Sequence, residues 1–416
     1  GMALPGAMPY CSGAHLSEKK AVLMACYPGT SRNKSIRLYL LRLDLGSAPK
    51  ANPEKTDPKL AYHCKGQGAA STLLPEEWGA GANKPGDPAA GRAEIAKLPA
   101  NTWVERKFPA GSRARGWGHY AYDIKTHKGI AWGGGHSTYP GAEVSEYDVL
   151  TNRWRSMAHA TNYNPVWLHG MVGGPPGVSL SGWSLLPTHA RKSYTVDHVS
   201  GKYITYMGDV YDPKHHTFVT NIGRCPGKYN VSTQVSFVPT PHGLYGYSTG
   251  TLARPDVRAG KWEVFAEGGP GHHEHHHLCY DSKRDRIVYF ARKEKKVWTF
   301  DFKAKQWTEE KPAGGVPPDM TADSTYIPEM DAALLVFGTK GGKEETMYFY
   351  KVGERKWYSS PYVGEKTWRV NTGLNNSPRY DPELKTVVRF TNAGHRWIGV
   401  FLMRLEPGSL KLTPIQ

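Results

Sequence analysis

Two histidines with glycine neighbours are the residues of this chain best suited to moving protons. His119 stands in G-W-G-H-Y-A-Y-D and His136 follows Trp132 and three glycines in W-G-G-G-H-S-T-Y-P-G-A-E-V. A neutral imidazole can take or return a proton near neutral pH, and glycine lets a ligand approach the backbone closely. The pair is expected to serve as acid and base on one substrate. A second cluster runs from Gly271 to Tyr280 (G-H-H-E-H-H-H-L-C-Y). On a strand, His275, His277 and Cys279 would share one side, because side chains alternate. Imidazoles beside a thiol suit zinc, with Cys225 or His216 as a further ligand from upstream. One structural zinc ion is expected.

Such residues need a scaffold, and the scaffold is written as a repeat. Tyr147-Asp148 leads to Trp154, Tyr211-Asp212 to Phe218, Phe300-Asp301 to Trp307 and Tyr350-Lys351 to Trp357, all in one frame, while Trp103 and Trp262 supply the aromatic alone. The aromatic slots are spaced by 44 to 64 residues. A period near fifty with four short strands per unit marks a kelch-type β-propeller, since one four-stranded blade cannot bury its faces alone. The fold class is therefore all-β, one propeller over 1–416. A strand, an aspartate-led turn, a second strand and a glycine recur at Tyr122, Tyr280, Tyr326 and Tyr380. Seven blades are expected, and one segment read differently would give six or eight. The first blade is placed at 13–108, containing strands near Ala21–Tyr27 and Ile36–Leu45 and an irregular insertion at about 47–98. The third and fourth occupy about 190–222 and 232–266. The last unit closes with Leu412 in the aromatic slot. Aligned on their Tyr-Asp pairs, His119 and His277 are equivalent, each three residues before the tyrosine, which places both on innermost strands.

Composition narrows the partners. Fifty-three Lys and Arg against 37 Asp and Glu give a formal charge of +16, which favours an anionic partner. The basic residues are scattered rather than clustered, which disfavours nucleic acid. No apolar run is long enough to span a bilayer. Five cysteines (Cys11, Cys26, Cys64, Cys225, Cys279) at irregular spacing do not form a disulfide framework, although Cys11 and Cys26 could pair across a hairpin. The first residues show neither a basic n-region nor an apolar h-region. The leading Gly-Met has the look of a scar from tag removal, so a secreted or periplasmic protein without its leader is expected, acting as a monomer.

The segments G-W-G-H-Y-A-Y-D, W-G-G-G-H-S-T-Y-P-G-A-E-V and H-H-H-L-C-Y-D resemble the seven-bladed propeller polysaccharide lyases that cleave ulvan. That resemblance implies β-elimination on a sulfated, uronate-containing polymer, two catalytic histidines, tyrosines, an arginine and a structural zinc. His119 and His136 match the histidine pair by context. Tyr245 or Tyr247 (L-Y-G-Y) would stand for the tyrosine, and Arg224 or Arg191 for the arginine, with Arg191, Trp117, Tyr139 and Tyr194 contacting substrate. Elimination needs a group to mask the carboxylate charge, a base for the C5 proton and an acid for the departing O4. Two other readings share the ring: a non-catalytic kelch module binding glycan or protein, and a copper radical oxidase. The oxidase needs a Tyr–Cys crosslink and two copper histidines, and the cysteines here do not stand in a segment of that type.

Overall fold

The aspartate-led turns of the repeat are all built the same way, and they explain the repeat frame. The aspartate that ends a strand accepts the backbone N–H of a residue two or three further on: Lys125 to Asp123, Leu150 to Asp148, Val199 to Asp197, Lys283 to Asp281 and Glu383 to Asp381. Four residues after each aspartate the backbone turns left-handed, at His127 (φ 57°), Asn152 (53°), Gly201 (69°), Asp285 (51°) and Lys385 (50°). An aspartate-capped turn followed by one left-handed residue reverses a strand into its antiparallel partner. The aromatic then falls opposite the residue just before the aspartate, as in Tyr147 opposite Trp154 and Phe300 opposite Trp307.

The computed structural model describes residues 10–16, 21–27, 37–42, 86–108, 120–132, 144–158, 194–214, 217–227, 235–271, 277–291, 294–318, 323–338, 345–365, 376–391 and 398–416. Strands β1 (Tyr10–Leu16), β2 (Ala21–Tyr27) and β3 (Arg37–Arg42) make an antiparallel sheet of their own. Helix α1 (Pro88–Ala96) and β4 (Trp103–Glu105) follow. Blade one is β5 (Ala121–Asp123), β6 (Lys128–Trp132), β7 (Val144–Asp148) and β8 (Arg153–Ala158). Blade two is β9 (Tyr194–Asp197), β10 (Lys202–Thr205), β11 (Asp209–Asp212) and β12 (Thr217–Asn221). Blade three is β13 (Ser236–Thr240), β14 (Gly243–Ser248), β15 (Thr251–Asp256) and β16 (Lys261–Ala266). Blade four is β17 (His277–Asp281), β18 (Arg286–Ala291), β19 (Lys296–Asp301) and β20 (Gln306–Glu310). Blade five is β21 (Ser324–Ile327), β22 (Ala332–Gly338), β23 (Glu345–Lys351) and β24 (Lys356–Pro361). Blade six takes β25 (Asn376–Asp381), β26 (Thr386–Thr391) and β27 (Gly399–Arg404), and β28 (Thr413–Pro414) returns to the edge of β24.

The ring has six blades, not seven. Blade six borrows its outermost strand from far upstream: β4 pairs antiparallel with β27, Trp103 opposite Met403. The expected first blade at 13–108 therefore does not exist as a unit, because its last strand completes the final blade. The six aromatic slots are one per blade. Trp103, not Leu412, fills the slot of the last blade, and Leu412 packs against the core between blades five and six. The expected insertion at 47–98 is not irregular throughout. Asp87 caps α1 by accepting the Ala89 N–H, Pro88 starts the helix, and Ile95 is buried against Tyr147 and Trp154 of blade one.

Apolar seams hold the ring. Val288, Phe290 and Cys279 of blade four meet Ala333, Leu335 and Tyr350 of blade five. Tyr245 and Tyr247 of blade three meet Ile287, Tyr289 and Trp307 of blade four. Phe390, Val388 and Leu402 of blade six meet Tyr147 and Trp154 of blade one. Each such aromatic or aliphatic side chain contributes about 1.5–3 kcal/mol when fully removed from water. The seam between blades one and two is more polar. There Trp132 packs on Tyr194 and Tyr211, and the buried Glu146 accepts the Tyr203 hydroxyl.

Candidate functional site at the channel mouth

The two faces of the ring differ in their connections. The aspartate-led turns are short and lie on one face. All six links between successive outermost and innermost strands leave from the other, as from Glu105 to Ala121, Ala158 to Tyr194, Asn221 to Ser236 and Ala266 to His277. The links from β6 to β7 and from β26 to β27 leave from that second face as well. His119 and Trp117 stand in the first of these links, His136 and Tyr139 in the link after β6, Arg191 in the link from Ala158 to Tyr194 and His275 in the one before β17. These six residues and His216 lie outside the described residues.

Near that face the innermost strands bring Arg379 and Asp323, which the sequence did not single out, together with His277, which it did. Arg379 on β25 reaches the Asp323 carboxylate just before β21, at 2.5 Å. A second N–H of the same guanidinium donates to the carbonyl of Tyr120 at 3.5 Å. Asp323 also faces His277, with Nδ1 3.7 Å from its Oδ1. One arginine thus links blades five, six and one at the channel, and its side chain is 21% exposed while Asp323 is 7% and His277 0% exposed. Tyr120 is the residue directly after His119. The signal that could have found Arg379 is positional. It precedes Tyr380-Asp381 where Ala121 and Cys279 precede the equivalent pairs, so a charge stands on an innermost strand where neighbouring blades place small or apolar side chains.

The other predicted residues are distributed unevenly. Arg224 is exposed on the mouth-side link after β12. Its segment is pinned by Ile222 N–H to Gly208 O, Cys225 N–H to Tyr206 O and Trp262 Nε1–H to Gly223 O, at 2.7–2.8 Å. Tyr247 is wholly buried, donates its hydroxyl to Pro270 O and accepts the Gly250 N–H at 3.2 Å. Burial pushes its phenol above the ordinary range, which removes it as a tyrosinate base at neutral pH. Tyr245 packs between Phe265 and Phe302 and is likewise raised by burial. Both tyrosines stand in the core of the seam between blades three and four. Tyr194 is buried too, its hydroxyl donating to Ile130 O at 3.3 Å.

Of the expected zinc ligands, His275 and the alternative His216 lie outside the described residues, and the two cysteines stand in different seams. Cys279 faces Val288, Phe290 and Tyr326 in the seam between blades four and five. Cys225 lies in another seam, with Ile204, Val235 and Leu244, and burial drives its thiol upward, against thiolate formation. Among the described residues no group of three or more His, Cys, Asp or Glu side chains is arranged to hold a metal ion. Among the described residues, no helix is long and apolar enough to cross a membrane.

Searches for related proteins found no protein-family model and no curated protein that matches the chain. What the fold and the channel mouth define is a six-bladed all-β propeller with a polar, arginine-bearing channel mouth.

Proposed function

We propose that the protein is a polysaccharide lyase that cleaves an anionic, uronate-containing polymer, ulvan-like and sulfated, by β-elimination at the channel mouth. The observation that carries this reading is Arg379. It is a partly exposed guanidinium held by Asp323 and anchored to the carbonyl next to His119, on the face from which the link bearing His136 also leaves. Arg379, with Arg224 from blade two, takes the uronate carboxylate. A carboxylate whose charge is masked lets the neighbouring C5 proton become acidic enough to leave. One histidine of the pair His119 and His136 accepts that proton. The electron pair of the C5–H bond forms the C4=C5 double bond, and the C4–O4 bond breaks with its electrons on O4. The other histidine protonates O4. Tyr245 and Tyr247, fixed in the core, take no part. No step passes through a metal.

The test is incubation with a panel of uronate polymers while reading the ultraviolet absorbance of the unsaturated product. Removing a proton-transfer group costs about 10²–10⁴ in rate. His119→Ala and His136→Ala are therefore expected to fold, to bind polymer and to be nearly inactive, and Arg379→Ala to lose turnover with them. Wild-type protein that binds the polymers without forming unsaturated ends would establish a glycan-binding module instead.

A further inference from the structure

Away from the channel mouth, on the face of the short turns, a groove of about 600 Å³ opens between blades one and two. Its walls are the turn after β5, the turn after β9 and the start of the turn after β11. Four lysines and three carboxylates line it. Two of the lysines are answered: Lys128 by the buried Glu146 at 3.3 Å and Lys202 by Asp212 at 2.7 Å. Glu146 is further neutralised by Arg155 at 3.0 Å. The oxygens of Asp123 are spent on its own turn, accepting the Lys125 N–H and the Thr126 hydroxyl. Lys125 gives its ammonium only to the carbonyl of His198, and Lys214 has no carboxylate within ion-pair distance among the described residues. The lining thus carries four ammonium groups against three carboxylates, and two of the ammonium groups, those of Lys125 and Lys214, form no ion pair among the described residues.

We propose that this groove is a second, non-catalytic binding site, for a sugar unit bearing a carboxylate or sulfate. Lys125 and Lys214 hold the anion. Val199, 65% exposed at the rim, offers an apolar surface to the C–H face of a sugar. His198 donates from Nε2 to the Tyr122 carbonyl at 3.4 Å, and burial lowers its basicity. The volume falls within the roughly 300–1,000 Å³ of small-molecule sites. A site of this kind would keep a polyanionic chain on the protein while the mouth works on another stretch of it, so its role in retention rests on the lyase reading; its binding chemistry does not.

The test measures binding, not turnover, on the full chain. Glucuronate, glucose 6-sulfate and neutral glucose are titrated into wild type and into Lys125→Glu/Lys214→Glu, with melting temperature as the folding control. The expected result is that both anionic sugars bind and glucose does not, that added salt weakens binding, and that the double variant loses about tenfold or more in affinity. Single Lys125→Gln and Lys214→Gln variants, each expected to lose part of that affinity, serve if the double variant does not fold. Binding of glucose as tight as glucuronate, wild-type affinity in the lysine variants, or no binding by any sugar at millimolar concentration would overturn the proposal. His119→Ala/His136→Ala should retain this binding, which separates the fate of the groove from that of the lyase reading.

Discussion

Two seams of the ring carry the same chemical device at different depths. Between blades four and five, Arg284 forks onto Asp331 with N–H to oxygen distances of 2.7 and 2.6 Å, and the two side chains are 33% and 25% exposed. Between blades five and six, Arg389 forks onto Glu345 at 3.1 and 2.6 Å, and both are wholly buried. Both forks join blades that are consecutive in sequence, but the deep one sits beside the strand that closes the ring: the Arg389 guanidinium lies over the Trp103 ring at 5.7 Å and over Tyr362 at 5.4 Å, and Trp103 belongs to the strand brought in from upstream. In blade four the equivalent of Arg389 is Tyr289, whose ring meets Trp307 at 6.1 Å. A cation over aromatic faces with a bidentate carboxylate has stricter geometry than an apolar contact. The closing blade thus uses a directional contact where a contiguous blade uses a ring-on-ring one.

The largest difference between the seams should come from breaking each fork. Arg389→Ala leaves Glu345 charged and buried and is expected to cost about 3–5 kcal/mol, whereas Arg284→Ala should cost about 1 kcal/mol or less. Chemical denaturation of the two variants measures both, and equal losses would remove the distinction. Replacing the deep pair together sharpens it. Arg389→Met with Glu345→Leu is expected to recover stability to within about 1–2 kcal/mol of wild type, because the apolar exchange avoids the desolvation cost. A double variant as unstable as Arg389→Ala would mean that the fork, rather than the stranded charge, carries the stability.

A smaller effect is expected where backbone rather than charge fills a seam. Gly129 of blade one packs so closely on blade six that an added Cβ would lie 2.0 Å from Phe390 Cζ. At Gly246, between blades two and three, the nearest atom would be Cys225 Sγ at 2.8 Å. Gly129→Ala should cost about 1–3 kcal/mol and Gly246→Ala less, read as shifts in denaturation midpoint. The reverse order would show that the closing seam is the more yielding of the two.

The sequence made the ring legible and hid its closure, for a physical reason. Tyr-Asp turns and aromatic slots are local, set within eight residues of each other, so Trp154, Trp262, Trp307 and Trp357 could be aligned and do occupy equivalent outer-strand positions. Pairing β4 with β27 is a contact between residues some 300 positions apart, as in Trp103 opposite Met403, and no local pattern announces it. The count of aromatic slots was six from the start, and the seventh blade arose from giving Trp103 a blade of its own. The site was partly legible in the same way. Gly-flanked histidines stand out by composition, but Arg379, Asp323 and Tyr120 come from three different blades and meet only when the ring closes. The resemblance singles out Tyr245 and Tyr247, yet alternation on β14 gives no sign of how deeply the neighbouring blade covers them.

The smallest predicted effect sharpens the shallow fork through pH. Arg284 holds the Asp331 carboxyl down at about 2 against an ordinary 3.8, an effect opposed by partial burial and aided by the Tyr326 hydroxyl at 2.7 Å. A carboxyl lowered in the folded state stabilises above its unfolded pKa, and that contribution is lost as pH falls through the folded value. The window here runs from about pH 4 down to about pH 2. Asp331→Asn is the suitable variant, because the backbone there is left-handed (φ 49°), which asparagine tolerates well, and the amide oxygen can still accept from Tyr326. The variant should be less stable than wild type at pH 7 by about 1 kcal/mol or less, given its partial exposure. The gap should close as both are titrated toward pH 2. A gap that stays constant over this range would assign the loss to Arg284's missing partner in shape alone, and the shallow seam would then owe nothing to the charge that distinguishes it from the deep one.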